Sequence, residues 1–419
     1  MKYFIIICGI CFIALVACTG QGEDAKNENI TGDNSMMFSI DGVAYPLRFA
    51  NFQRNSLVTV DIKPRWKFLW AKNYAETDPN IILAPYSIQI RENSIGVSSN
   101  AEMLVYDASG AYKYKEGIST AAPVVFGRNA MAFVRESLLL KYQDYNREIL
   151  RDHGSISHLD EYSYALLFKP SLEQILSVVQ FTGGPHRKPM TFRACLSNLE
   201  DDSFDWIYEG EGVLDHAALS KDGSRIVIIQ GDEVISINAQ SGERTEPYKI
   251  DLENAIVASL DINDNLIIFG ENIEIIGDEE DENAEEKSHR FLKGFSPTGE
   301  ELWSVELNNP SINQPPVCGG SGEVYVIDNR MVNCHKDGEL LWQYILKSSA
   351  ETWLTVTKND YIIVLNGNFL TILNSDGVKQ YEDMFCKTDE TFETPVAVDK
   401  SGRLYVAGNR NLYCFETID

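Results

Sequence analysis

The chain has 419 residues, 44% of them hydrophobic, a length that fits two or three ordinary domains or one large closed all-β body. Sixty-two acidic residues against 36 basic ones leave a formal charge of −26. This balance excludes nucleic-acid binding through phosphate neutralisation, which needs clustered Lys and Arg, and adhesion to anionic lipid through a basic patch.

Residues 3–16 (YFIIICGICFIALV) form an apolar run of 14 after Met1-Lys2. A membrane-spanning helix needs about 20 residues, so the run has the proportions of a signal-peptide core. It ends in Leu15-Val16-Ala17-Cys18, which resembles a bacterial lipobox. That resemblance implies cleavage before Cys18 and lipidation of it, with several acyl chains giving the stable anchoring that one chain does not. Thr19 stands where an Asp would imply retention at the inner membrane, so the expected location is the outer membrane, periplasmic or surface-facing. Residues 19–35 hold almost no apolar side chain and read as a flexible tether with a reach of roughly 20–25 Å.

Further on, one pattern recurs: a β-rich run, a short polar turn, a second β-rich run, a Gly turn, then often an aromatic. It appears at 94–98 with 103–107 before Gly110, at 130–134 with 137–142, and at 225–230 with 233–238 before Gly242. In the next unit 266–269 and 273–276 form the expected hairpin around 270–272. The acidic run 278–286 (DEEDENAEE) then falls between third and fourth strands, and Gly299 follows. Three more copies run over 322–334 before Gly338, 361–373 before Gly377, and 404–415. The phrases GEELWSVEL from Gly299 and GELLWQYIL from Gly338 are the Gly turn and fourth strand of neighbouring units. Such runs punctuated by Gly, Asn and Asp are hairpin signals.

A first strand precedes each hairpin, starting near Pro85, Pro123, Tyr164, His216, Val257, Pro316, Trp353 and Pro395, at spacings of 38, 41, 52, 41, 59, 37 and 42. Four strands per unit of about 40–45 residues predict an all-β fold: a single β-propeller of about eight four-stranded blades. Seven is the alternative count, because the third unit (164–209) is irregular. The eighth unit ends without a fourth strand, whereas RWKFLW at 65–70 has no blade of its own. The N-terminal strand is therefore expected to complete the last blade and close the ring. The expected organisation is signal peptide 1–17, lipidated Cys18 and tether 18–36, N-terminal segment 37–56, and propeller 57–419.

The Gly-x-x-x-Trp phrase, the closing N-terminal strand and the lipobox resemble the PQQ-like repeat family of the quinoprotein alcohol dehydrogenase-like superfamily. Within it they are similar to the BamB-like lipoproteins of outer-membrane barrel assembly. The resemblance spans about 57–416 and implies a non-catalytic scaffold with an envelope or outer-membrane protein partner. Enzymes of this fold that bind PQQ place it against a Cys-Cys pair, and the sequence has none. No cofactor and no metal are expected.

Cys195, Cys318, Cys334, Cys386 and Cys414 are expected to be small core residues. Cys334 and Cys414 occupy equivalent places two blades apart, too distant for a disulfide. Four of six histidines lie within 153–216. His153 and His158 lie between the second and third blades, His186 sits with Arg187 and Lys188 in the loop 182–190, and His216 opens the fourth blade. Blade-to-blade connections and second-to-third-strand turns emerge on one propeller face, so these six residues are expected near one end of the channel. A basic island on an acidic protein is a docking or anion-binding candidate. No motif names a catalytic residue. The expected function is a membrane-anchored protein-interaction scaffold; the alternative is a propeller that binds or processes a small ligand or glycan at the channel mouth.

Overall fold

Runs such as 226–229 (IVII), 362–365 (IIVL) and 404–407 (LYVA) are apolar at every position, as in a strand buried on both faces. In the computed structural model each of these runs is the second strand of a four-stranded antiparallel sheet, with its residues buried. The structure describes residues 43–45, 58–77, 87–91, 94–98, 102–117, 125–126, 131–135, 138–143, 146–152, 164–168, 174–181, 191–198, 204–212, 216–220, 223–276, 285–311, 314–386 and 390–419.

The described strands form eight sheets, seven of four strands and one of five. Blades 1 to 7 are consecutive in the chain: 87–117, 125–152, 164–211, 216–249, 254–307, 317–345 and 352–384. Blade 8 takes Ala397–Val398, Leu404–Ala407 and Asn411–Ile418 from the C-terminus and Arg65–Asn73 from the N-terminus. The last two strands pair from Arg65↔Ile418 to Asn73↔Asn411, with Trp70 opposite Cys414. First strands touch in succession from blade 1 to blade 7. Arg65–Asn73 touches the outer strand of blade 7, and Ala397–Val398 touches the first strand of blade 1. The described residues thus form a closed eight-bladed propeller. The third unit, irregular in sequence, is a complete blade.

The core lies between blades, where sheet packs on sheet. Outer strands alternate instead; Glu301–Leu307 and Glu339–Ile345 turn exposed and half-buried positions outward in turn. In blades 3 to 6 an aromatic of the outer strand is placed by the glycine of the next blade. Trp206 lies over Gly242, Tyr248 over Gly299 and Trp342 over Gly377, where an added Cβ would come 2.5 Å from the ring, and Trp303 lies over Gly338, where it would come 3.0 Å from the Trp303 Cβ. Trp206 Nε1 donates to Ala239 O at 3.1 Å and Trp342 Nε1 to Ser375 O at 2.8 Å. Gly338 and Gly377 also hold φ of +82° and +74°, which favours glycine a second time. The spacing from Gly299 to Trp303 and from Gly338 to Trp342 is thus a chain of docking contacts, each Trp resting on the following Gly.

Two features differ from the sequence expectation. The hairpin of blade 5 does not turn at 270–272. Leu266–Ile276 runs unbroken and pairs with Glu285–Phe295 as far as Ile276↔Glu285. Gly270 is there because Asn254 O lies 2.6 Å from where a Cβ would be, a close approach within the sheet. The acidic run therefore belongs to the connection between second and third strands. Second, Val43–Tyr45 pairs antiparallel with Ser87–Arg91 and makes blade 1 the five-stranded sheet; it also touches the first strand of blade 8. Val43–Tyr45 thus lies beside the first strands of both blade 1 and blade 8. Val58 N then donates to Val356 O (2.8 Å), and Asn359 clasps Ile62 by both its N–H (3.1 Å) and its carbonyl (2.7 Å), leading the chain to its closing strand.

Candidate docking face

Each first strand runs from the blade-to-blade connection toward the first turn, so the connections and the second-to-third-strand turns share one face. Polar side chains tie these two kinds of loop together. In blade 5 the connection is tied to the second strand itself, short of the hairpin's turn: Asn272 Oδ1 accepts from Glu253 N (2.9 Å) and Glu253 Oε2 accepts from Ile273 N (2.7 Å). Asp328 Oδ1 accepts from Asn309 N (2.6 Å) in blade 6, and Asn366 Oδ1 from Ser348 N (2.7 Å) in blade 7. In blade 8, the buried Glu390 accepts from Arg410 N (3.0 Å) and Asn411 N (2.7 Å), and also from the Tyr413 hydroxyl. Loops held this way present a fixed surface, which lowers the ordering cost of binding.

Charge is divided over this face. A polar cleft of about 400 Å³ between blades 3 and 4 is lined by Glu209, Glu211, Asp232 and Glu233 together with Arg244. The long hairpin of blade 5 projects from the same face. It is braced by His289, whose Nδ1 lies 2.9 Å from Glu306 and Nε2 3.0 Å from Glu274. These hydrogen bonds, Glu306 first and Glu274 second, raise the pKa of His289. Exposed arginines stand farther along the ring: Arg330 and Arg410 occupy equivalent turns of blades 6 and 8. Arg330 is held at φ 64° after Asn329 at 49°, a two-residue hairpin turn built without glycine. A bulky residue in this region is a reason to look for function.

Of the residues singled out in the sequence, Cys18, His153, His158, His186, Arg187 and Lys188 lie outside the described residues. His216 is described. It is half-buried at the start of its strand and donates Nε2–H to Ile256 O of blade 5 at 2.8 Å. The same kind of clasp recurs around the channel. Ser259 Oγ donates to Pro316 O (2.8 Å), Gln314 bonds both N and O of Leu354 (2.7 and 2.6 Å), and Thr355 Oγ1 donates to Val396 O (2.8 Å). His216 thus joins two blades. Arg330 and Arg410 were missed in the sequence, where their repeated Asn-Arg was visible but read only as a turn.

All five described cysteines are free and buried. Burial pushes the thiols of Cys334 and Cys414 up to about 12, and that of Cys318 higher still. Cys334 and Cys414 each pair in register with a tyrosine, Tyr325 and Tyr405. Among the described residues no three His, Cys, Asp or Glu side chains are grouped to hold a metal ion.

Residues 290–385, from the third strand of blade 5 to the end of blade 7, match the sequence model of a family described as outer membrane protein assembly factor BamB. The fold matches the crystal structure of BamB from Moraxella catarrhalis with a TM-score of 0.53 and 13% identity, covering 84% of this chain and all of that one. No curated protein matches the sequence. In fold the chain is similar to the BamB propeller.

Proposed function

We propose that the chain is an envelope lipoprotein, anchored in the outer membrane by acylated Cys18, whose propeller is a non-catalytic scaffold for assembling outer-membrane proteins. The observation that carries this reading is the match of 290–385 to a family described by that role, within a chain whose fold is similar to a BamB structure over 84% of its length. The docking surface is the face of tied loops. It offers Arg330 and Arg410 on blades 6 and 8 and carboxylates on blades 3 to 5, a pattern suited to electrostatic selection of a partner. His153, His158, His186, Arg187 and Lys188 are proposed to add a basic island near blades 2 to 4.

The test is purification of the tagged full-length chain from detergent-solubilised membranes, with co-purifying proteins identified by mass spectrometry. Recovery of a membrane β-barrel protein supports the proposal. No protein partner, together with a melting temperature raised by glycans or small ligands, supports the ligand-binding alternative instead. Charge reversal at Arg187 and Lys188 weakens capture if the basic island takes part.

A further inference from the structure

Among the described strands, the outer strand of each blade leaves one backbone edge without a strand partner, and such edges are ordinarily blunted by charge. Blade 1 carries Lys113, Lys115 and Glu116 there, blade 5 Glu301 and Glu306, blade 7 Lys379, Glu382 and Asp383, and blade 8 Arg65, Lys67 and Lys72. Blade 6 differs. Its outer strand Glu339–Ile345 (ELLWQYI) has its single charge at the first residue and none over 340–345.

This strand also exposes apolar side chains. Ile345 is 74% exposed and Leu341 51%. Trp342 and Tyr344 point toward blade 7, where they meet Gly377 and Glu382. Alternation turns Gln343 and Ile345 toward blade 5, whose Trp303 and Val305 are only partly buried, while the exposed Leu341 sits at the register shift between Leu340↔His335 and Trp342↔Cys334. An uncharged edge thus lies beside an apolar groove.

We infer that the outer strand of blade 6 captures an extended polypeptide segment by strand addition, and that the segment alternates apolar and polar residues and has basic flanks. Backbone groups at strand spacing over 342–345 select an extended guest, and the exposed Ile345, beside Gln343, meets its alternate side chains. Exposed Glu339, Asp376 and Asp383 border the strand, and the nearby Lys347 and Lys379 are held by Glu382, so the border favours a basic guest. A net charge of −26 disfavours a second copy of this chain. An unfolded strand of a membrane β-barrel has the required alternation. The inference rests on the assembly reading for the source of the guest, but not for the geometry of the edge.

The probe is a fluorescent peptide of alternating valine and threonine with two lysines at each end, titrated against the full-length chain. Saturable binding is expected, with slowed amide exchange over 340–345. Both Ile345→Lys and Ile345→Glu should weaken binding at least tenfold, because each blunts the edge; Val378→Glu on the blade 7 rim should change it less than twofold. Ile345 is exposed, so unchanged melting curves confirm that the variants fold. Tighter binding by Ile345→Glu reveals mere charge attraction and overturns the inference, as does peptide binding without protection of 340–345. A dimer dispersed by Ile345→Lys overturns it too, by making a second copy the occupant. Capture of the membrane partner should survive Ile345→Lys. If that capture fails in the unmutated chain while the peptide binds, the docking-face reading falls and the edge stands.

Discussion

The indole of Trp70 lies over Gly110 of blade 1, 3.0 Å from where a Cβ on that glycine would be. Its backbone meanwhile pairs with Cys414 of blade 8. Four residues earlier, Trp66 turns the other way, donates Nε1–H to Leu370 O of blade 7 at 3.1 Å, and packs edge-on against Tyr381. A bulge between Phe68 and Trp70 allows the two rings to face opposite neighbours. One strand therefore completes blade 8 and grips the blades on both sides.

Gly377 and Gly322 separate two effects that sequence alone merges. Both have positive φ, but a Cβ on Gly377 would lie 2.5 Å from the Trp342 ring, whereas one on Gly322 meets nothing within 4 Å. Gly322→Ala should destabilise by about 1–2 kcal/mol, the cost of the backbone alone. Gly377→Ala should destabilise by about 2–4 kcal/mol because the indole must also move. Urea melts of the two variants measure the difference, and equal losses would show that the docking contact contributes nothing.

Phe415 is fully buried in the closing blade and packs edge-on against Trp66, Phe68 and Phe385. Phe415→Ala should cost about 3–5 kcal/mol. Amide exchange should then quicken first along Arg65–Asn73 and Asn411–Ile418, which only this blade joins. Uniform quickening over all blades would mean that the closure is not a separate unit of stability.

Two histidines give stability opposite dependences on pH. His289 has its pKa raised by Glu306 and Glu274, against a smaller opposing effect of burial. Its contribution is complete below the unfolded value of about 6.5 and disappears as pH rises through the folded value. His335 is pushed down by burial, against the attraction of Asp328. Its contribution is complete above about 6.5 and is lost as pH falls toward the folded value. In melts between pH 8 and pH 5, His289→Gln should lose the part of stability that grows on acidification, and His335→Leu should gain resistance to acid. Identical pH profiles for both variants and the parent would contradict these assignments.

Arg330 joins a backbone constraint to an exposed charge. Arg330→Gly should stabilise the fold by up to about 1 kcal/mol, since glycine adopts φ 64° without strain. The same change should reduce recovery of the membrane partner. Raised stability with undiminished recovery would leave Arg330 a turn residue only.

The repeat was legible because second and third strands are buried on both faces and read as apolar runs, and because a docked aromatic demands a glycine at a fixed distance. The closing strand was legible for the same reason: its Trp had no blade and the last blade had no fourth strand. Gly270 misled, since a glycine followed by Glu-Asn looks like a turn whether it serves φ or close packing. Val43–Tyr45 could not be read, as three residues carry no period and gain their strand only from Ser87–Arg91. The interblade bond of His216 is likewise a matter of geometry, with nothing in the local sequence to distinguish it from a surface histidine. The two Asn-Arg turns and their common face followed from the repeat, but the φ of Arg330 did not.

The central claim is that this propeller serves assembly at the outer membrane through the face of tied loops. Photo-crosslinking amino acids placed in intact cells at Asn329, on that face, and at Asp264, in a first-to-second-strand turn on the other, test it most directly. The account predicts a crosslink from position 329 to a protein of the outer-membrane assembly apparatus, and none from position 264. Crosslinks to such a protein from 264 alone, or from neither position in cells that contain the chain at the membrane, would contradict it.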